Sequence, residues 1–499
     1  MATTEAKTYR NYIGGEWVEA ASGESFETRN PATGETLGVF PLSSTEDMDR
    51  AVEAAKAAFE EWRLVPAPKR GELLFRVAQM FAERKDELTE QMVREMGKVR
   101  AEAAGDVQEA IDMTFYMAAE GRRMFGHTTP SELPDKFMMS TRNPVGVVGA
   151  ITPWNFPIAI PSWKIAPALV CGNTVVFKPA EDTPLLAGLF VEIFEEAGLP
   201  PGVLNIVHGA GETVGEQLVK HPDVPLISFT GSREVGAQVQ TNAGPYLKNV
   251  HLELGGKNAI IVMDDADVDL AVDGILWSAF GTSGQRCTAA SRVIANRTVY
   301  DALCSRLVER AETMRLGDGL DDATDVGPVI NQAALEKIHS YTGIGRDEGA
   351  KLLTGGEVAT ENGLDRGFFY RPTVFADVEP GMRIAQEEIF GPTTALIRAG
   401  DVDEAIRIAN GVKYGLSSSI FTRDVNKAFK AMRDLKTGIT YINAGTTGAE
   451  VHLPFGGTKD TGNGHREAGQ AALDFYTEWK SIYVDYSGKL QRAQIDNAE

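Results

Sequence analysis

The spacing of apolar and polar residues changes several times along the chain, and each change marks an element. Between residues 11 and 40 the pattern alternates and is punctuated by "GG", "SGES" and "PATGET", which predicts short strands joined by turns. From Thr45 to about Met124 the apolar positions recur at helical spacing. The stretch "STEDMDRAVEAAKAAFEEW" opens that block with a Ser/Thr cap and an acidic first turn. A proline-containing break at 128–135 closes it. There follow short β-rich runs that end in Gly, Pro or Asp: "VGVVGAITP", "TVVFKPA", "VLNIVHGAG", "PLISFTGS" and "NAIIVMDD". Helical stretches such as "PLLAGLFVEIFEEAG" and "GETVGEQLVKH" separate them. Strands alternating with helices at this interval predict an α/β fold with a parallel, doubly wound sheet. A second alternation follows Glu253, with strands near "RVIAN", "FFYRPTVFADV" and "TTALIRAG", and predicts a second α/β domain. The tail "FYTEWKSIYVDYSG" reads as a strand with no partner nearby.

A chain of 499 residues is too long for one core, so two or three domains are expected. Its 49 basic and 70 acidic residues give a net charge of −21, which argues against a nucleic-acid or anionic-membrane surface. Three cysteines cannot pair off, and none stands in a C-x-x-C arrangement, so a reducing compartment fits. The start lacks the basic and apolar regions of a signal peptide, and no apolar run approaches a membrane span. Cytoplasm is the expected location.

The cysteines differ in setting. Cys171 follows "APALV" and Cys304 lies among leucines at helical spacing, so both read as buried small hydrophobes. Cys287 instead sits in "FGTSGQRCTAASR", with small residues before it and Arg286 beside it as a cation that could favour the thiolate. Glu253 stands between two leucines before a Gly-Gly pair. There it is either a desolvated general base or an edge-strand glutamate with its head in water. "VHGAGETVGEQ" places Gly209, Gly211 and Gly215 after a strand, one residue longer than the dinucleotide fingerprint, and a merely tight turn would look the same. "FTGSREVG" repeats the layout with Gly231 and Ser232 before a helix whose N-terminus could receive a phosphate. Lys178 closes a strand with Glu181 three residues on. The seven histidines form no metal-spaced cluster, so neither a zinc site nor a Cys–His hydrolase is supported. A cysteine, a desolvated glutamate and a dinucleotide site together suggest covalent capture of a carbonyl, hydride removal and hydrolysis.

End to end, the chain resembles the aldehyde dehydrogenase superfamily. The matching stretches are "PWNFP" at 153–157, "FKPAEDTP" at 177–184, "FTGSREVG" at 229–236, "LELGGKN" at 252–258, "FGTSGQRCTA" at 280–289, "EEIFGP" at 387–392 and "LPFGGTKDTG" at 453–462. The resemblance implies Cys287 as nucleophile, Glu253 as the base for the deacylating water, and the Asn155 amide with the Cys287 backbone N–H as oxyanion donors. It implies NAD as cofactor, with NADP tolerated. Lys178 and Glu181 would grip the adenine ribose, Gly231 and Ser232 the pyrophosphate, and Glu388 the nicotinamide ribose, with Phe390 beside the ring. Thr152, Pro153, Trp154, Phe229 and Leu254 would complete the cofactor site beside Gly211 and Gly215. Phe455 would line the aldehyde tunnel. Arg286 would face that tunnel and either lower the thiol pKa or bind a substrate carboxylate, with Glu109 as a candidate neutralising partner.

The implied fold is a Rossmann-like cofactor domain (1–124 and 143–255), a catalytic domain (256–470) and a β arm (125–142 and 471–495) that joins a homodimer or homotetramer. "GQRCTAASR" resembles the semialdehyde-oxidising branches, which suggests 2-oxoglutarate semialdehyde, with 2-aminoadipate semialdehyde or a broader aldehyde range as alternatives. A coenzyme A-acylating relative would lack Glu253, and a non-catalytic use of the fold would not need the intact set of site residues.

Overall fold

A computed structural model describes residues 7–496. The helix Thr45–Trp62 begins at Ser44, where Ser44 and Asp47 form a capping box. Its Met48, Ala51, Val52 and Ala55 fall on one face and pack against the first sheet. That sheet runs in the order Asn249–Glu253, Leu226–Thr230, Val147–Ile151, Thr174–Lys178 and Leu204–Ile206, all parallel. Asn11–Ile13 and Glu16–Val18 extend it antiparallel. The first four strands are buried along almost their whole length, as expected where both faces are covered.

The second sheet has the order Lys351–Thr354, Thr373–Ala376, Thr393–Ala399, Arg292–Asn296, Ala259–Val262, Ser417–Phe421 and Ile439–Ile442, parallel except at its first pair. The expected α/β architecture with two separate alternations is present. One grouping changes: "NAIIVMDD" reads as the next beat of the first rhythm, yet Ala259–Val262 is an interior strand of the second sheet. Only residues 254–258 separate it from the edge strand Asn249–Glu253, too short a gap for sequence spacing to reveal a change of sheet.

The tail strand finds its partner far away in sequence. Thr477–Asp485 pairs antiparallel with Lys136–Pro144 along its whole length, and Thr128–Pro130 adds a third strand. The proline-containing break therefore contains strand.

Parallel pairing brings Ile151, Lys178, Thr230 and Glu253 level at the carboxyl ends of their strands. Ligands bind at this end of an open α/β sheet. Facing it, the second sheet is approached by the segment that carries Cys287.

Candidate active site

The helix Val268–Phe280 stops at Gly281, and the turn Gly281–Gly284 carries the chain into a cavity. Thr282 and Ser283 hold φ of 52° and 54° there, a left-handed conformation that costs a side-chain-bearing residue about 1–2 kcal/mol. Distant partners fix the turn. Thr282 N–H donates to both Glu102 carboxylate oxygens at 2.9 Å, and the Ser283 hydroxyl donates to the Gly327 carbonyl at 2.6 Å. Gly284 is glycine of necessity, with φ +68° and a would-be Cβ only 2.1 Å from the Gly391 carbonyl.

Cys287 follows, half-buried on the wall of a cavity of about 530 Å³. Its carbonyl accepts from Asn258 Nδ2 at 2.7 Å. Gly256 packs against the same carbonyl, and any Cβ there would lie 2.6 Å from it. Asn155, buried between Trp154 and Phe156, donates one amide N–H to the Gln285 carbonyl at 3.0 Å, which aims the amide beside the nucleophile and leaves its second N–H available. Burial pushes the Cys287 thiol up to about 12, reinforced by the carboxylates of Glu388, Glu253 and Glu109; the Thr288 backbone N–H opposes the rise. In this state the cysteine is a thiol.

Arg286 departs from expectation. Its guanidinium donates to Glu102 at 2.9 Å and to Thr282 Oγ1 at 2.9 Å, and it stacks 4.4 Å over the Trp277 ring. Glu102, rather than Glu109, is the neutralising partner. A guanidinium spent on a buried carboxylate does not hold Cys287 as thiolate, so thiol activation by Arg286 is corrected. Arg286 still lines the cavity, as do Glu109 and Phe455. Burial raises the Glu109 carboxyl to about 8. Phe455 packs edge-on to Trp163, ring centroids 4.9 Å apart.

Glu253 is 3% exposed although its strand is at the sheet edge, because residues 461–463 cover it. Burial, then the nearby Glu467 carboxylate, hold its carboxyl well above the usual range. The reading with its head in water is therefore overturned. His251 Nε2 lies 3.3 Å from Glu253 Oε1, and Lys164 pairs with Glu467 at 2.5 Å.

The remaining residues meet at the strand ends. Lys178 Nζ bonds Glu181 at 2.9 Å, the other Glu181 oxygen accepts from Gly211 N–H at 2.8 Å, and Thr152 N–H donates to the Lys178 carbonyl at 3.2 Å. Gly215 is buried at the start of the helix Glu216–Lys220, and it, Thr152, Lys178, Glu181, Gly211 and Phe229 lie outside the cavity wall. Gly231 folds tightly over Phe229, whose ring would lie 2.5 Å from a Cβ at that position. Ser232 caps the helix Arg233–Ala243 by accepting from Val235 N–H, and both Gly231 and Ser232 line the cavity. Leu254 presses against Gly236 of that helix. Across from them, Glu388 accepts from Gly256 N–H at 2.8 Å, and Gly255 makes room for its carboxylate. Pro153, Trp154 and Phe390 close the wall, with Trp154 and Phe390 edge-to-face at 5.5 Å.

Sequence reasoning missed Glu102, Trp277, Lys164, Glu467 and His251. Glu102 and Glu109 share a helix, Arg100–Glu120, seven residues apart, and nothing local distinguishes them. Lys164 sits in an apolar helix, a signal of a buried and paired charge that is legible in hindsight.

A model of the aldehyde dehydrogenase family matches residues 17–482. An alpha-ketoglutarate semialdehyde dehydrogenase of Haloferax volcanii is 45% identical over 482 residues, covering 96% of this chain and 99% of the relative. An alpha-ketoglutaric semialdehyde dehydrogenase of Bacillus subtilis is 42% identical over the same shares. The crystal structure of a betaine aldehyde dehydrogenase from Staphylococcus aureus in complex with NAD+ superposes with a TM-score of 0.95 at 37% identity, over 97% of this chain and 96% of that one. The chain belongs to the aldehyde dehydrogenase family.

Proposed function

We propose that the protein oxidises a carboxylate-bearing semialdehyde, with 2-oxoglutarate semialdehyde as the leading substrate, to the acid through a covalent adduct on Cys287. The observation that carries this reading is that Cys287, Asn155 and Glu253 open onto one cavity that Gly231, Ser232 and Glu388 also line. The Cys287 thiol first gives up its proton to water in the cavity, and the thiolate Sγ then attacks the aldehyde carbon, forming the C–S bond as the carbonyl π pair moves to oxygen. The oxyanion that forms is met by the free Asn155 N–H and the Cys287 backbone N–H, donors already fixed before charge develops. Glu253 takes a proton from the water that later releases the acid from the Cys287 thioester.

The residues fit NAD. The helix N-terminus at Ser232 suits a pyrophosphate, the space at Gly255 lets Glu388 reach a ribose, and the Glu181 carboxylate suits a free 2′-hydroxyl better than a 2′-phosphate. When bound, it supplies the hydride acceptor that turns thiohemiacetal into thioester.

For the substrate, the acidic groups on the wall around Arg286 are compensated. Glu102 is neutralised by Arg286, Asp106 by Lys98, and burial keeps Glu109 largely protonated at neutral pH. A carboxylate-bearing aldehyde is therefore not repelled, and Arg286, Glu109 and Phe455 are its proposed contacts. The semialdehyde names of the two relatives support this class. We further assign 1–124 and 143–255 to the cofactor domain, 256–470 to the catalytic domain, and 125–142 with 471–495 to the arm of a cytoplasmic homodimer or homotetramer.

Rapid mixing with 2-oxoglutarate semialdehyde and NAD tests the mechanism. Glu253→Gln should give one equivalent of NADH and then stall, and Cys287→Ala should give none. Turnover in Cys287→Ala, or loss of the burst in Glu253→Gln, would sink this assignment.

A further inference from the structure

Two residues before Glu253, on the same face of the edge strand Asn249–Glu253, lies a histidine that the mechanism above does not use. His251 is 1% exposed. Its ring is wedged between Phe475, at 4.8 Å, and His465, at 5.6 Å, so its orientation is set by packing. Nε2 points to Glu253 Oε1 at 3.3 Å, and Nδ1 faces Glu467 Oε1 at 3.6 Å. The two carboxyl groups are not equivalent. Glu467 already has a cation, Lys164, which is tied in turn to Ser228 and through it to Tyr476. Glu253 has no cation in contact, and its Oε2 has no hydrogen-bond partner among the described residues.

We propose that His251 is a positioning residue for deacylation: its Nε2–H donates to Glu253 Oε1, holding the carboxylate ionised and turned so that Oε2 is left for the attacking water. This rests on the reading of Glu253 as the base. A neutral imidazole has one N–H to give. Glu467 is satisfied by Lys164, so the proton is worth most on the side of Glu253. Charged groups around the ring agree with a neutral imidazole. Lys164 from the helix Ala159–Cys171, together with His465 and Arg466, adds to burial in disfavouring an imidazolium, while Glu253 and Glu467 are the two facing anions. A carboxylate buried without any donor would hold its proton and be no base. One charge-assisted hydrogen bond offsets part of that cost.

The test compares wild type, His251→Leu and His251→Gln, using 2-oxoglutarate semialdehyde and NAD. Acyl-enzyme decay is followed by quenching and intact-mass measurement across pH. Leucine removes the donor. Glutamine keeps an N–H near the position of Nε2. His251→Leu should form acyl-enzyme at the wild-type rate but lose it about tenfold more slowly at neutral pH. Its apparent pKa for decay should rise by about one unit, so that the deficit closes at alkaline pH. His251→Gln should stay within about threefold of wild type, as expected when one comparable donor replaces another. Equal slowing in both variants, or slowing in His251→Leu that persists at alkaline pH, would assign His251 to packing and overturn its role. Wild-type protein that never forms acyl-enzyme would overturn the reading of Cys287 and Glu253 and the role of His251 with it.

Discussion

Arg286 and Glu102 form the contact on which most of the nucleophile's surroundings depend. The carboxylate neutralises the guanidinium and at the same time receives the Thr282 N–H that keeps a left-handed threonine in place. Both side chains are almost fully buried, 6% and 5% exposed. Removing one partner of such a pair leaves an uncompensated charge and costs about 3–5 kcal/mol, whereas replacing both by neutral groups costs far less. Arg286→Met should therefore lower the calorimetric unfolding midpoint markedly. Arg286→Met combined with Glu102→Gln should recover most of the loss, since glutamine still accepts from Thr282. A double variant whose loss equals the sum of the singles would show that the two groups are not coupled. The same pairing governs any measurement of substrate preference at Arg286. A single substitution there changes the charge state of the tunnel wall as well as the contact with a substrate carboxylate.

Elements, in turn, decide where these side chains meet. The pair Gly255–Gly256 lies in the short link between the edge strand of the first sheet and the interior strand Ala259–Val262 of the second, and each glycine serves a different half of the site. A Cβ at Gly255 would fall 2.1 Å from Glu388 Oε2, the end of a flexible side chain that can swing away. A Cβ at Gly256 would fall 2.6 Å from the Cys287 carbonyl, which is backbone and can move only with the nucleophile. Gly255→Ala should thus raise KM for NAD with a smaller effect on kcat. Gly256→Ala should depress kcat by up to about 100-fold, the scale of a 1 Å displacement of a reacting group, with KM for NAD nearly unchanged. Steady-state kinetics with varied NAD separates the two, and an inverted pattern would mean that the two glycines have been assigned to the wrong halves. Local pattern made much of this legible. Strand ends carrying Lys178 and Glu253, the turn at Gly231–Ser232 and the isolated Cys287 all read correctly as elements from spacing and composition. What pattern did not carry was long-range cover. The burial of Glu253 comes from residues some 200 positions later, and Lys164 meets Glu467 across 303 positions. Neither is encoded in any window that reveals periodicity.

For the whole molecule, the three-stranded sheet is the feature that a single chain leaves unexplained. Among the described residues, its strand Thr477–Asp485 pairs on one side only, with Lys136–Pro144, and its other edge presents unpaired backbone groups. Trp479, Tyr483 and Val484 on this strand are 49%, 65% and 45% exposed, and Phe137 opposite Val484 is 46% exposed. Successive residues of a strand point to opposite faces, so Tyr483 and Val484 expose apolar area on both. An open edge flanked by apolar side chains is what proteins otherwise protect against, by charge, proline or cover. A net charge of −21 would also keep copies apart unless a specific surface joined them. The homodimer or homotetramer proposed above would cover this edge. Light scattering should then give two or four times the chain mass for the natural protein. Tyr483→Asp with Val484→Asp should shift it to the monomer, because each copy would have to bury two carboxylates at the joint. NADH formation by the dissociated variant should persist, since no residue of the arm sheet lines the cavity. A variant that keeps its full mass would place the joint elsewhere on the molecule. A monomer that no longer forms NADH would mean that assembly, and not the single chain, holds Cys287 and Asn155 in register.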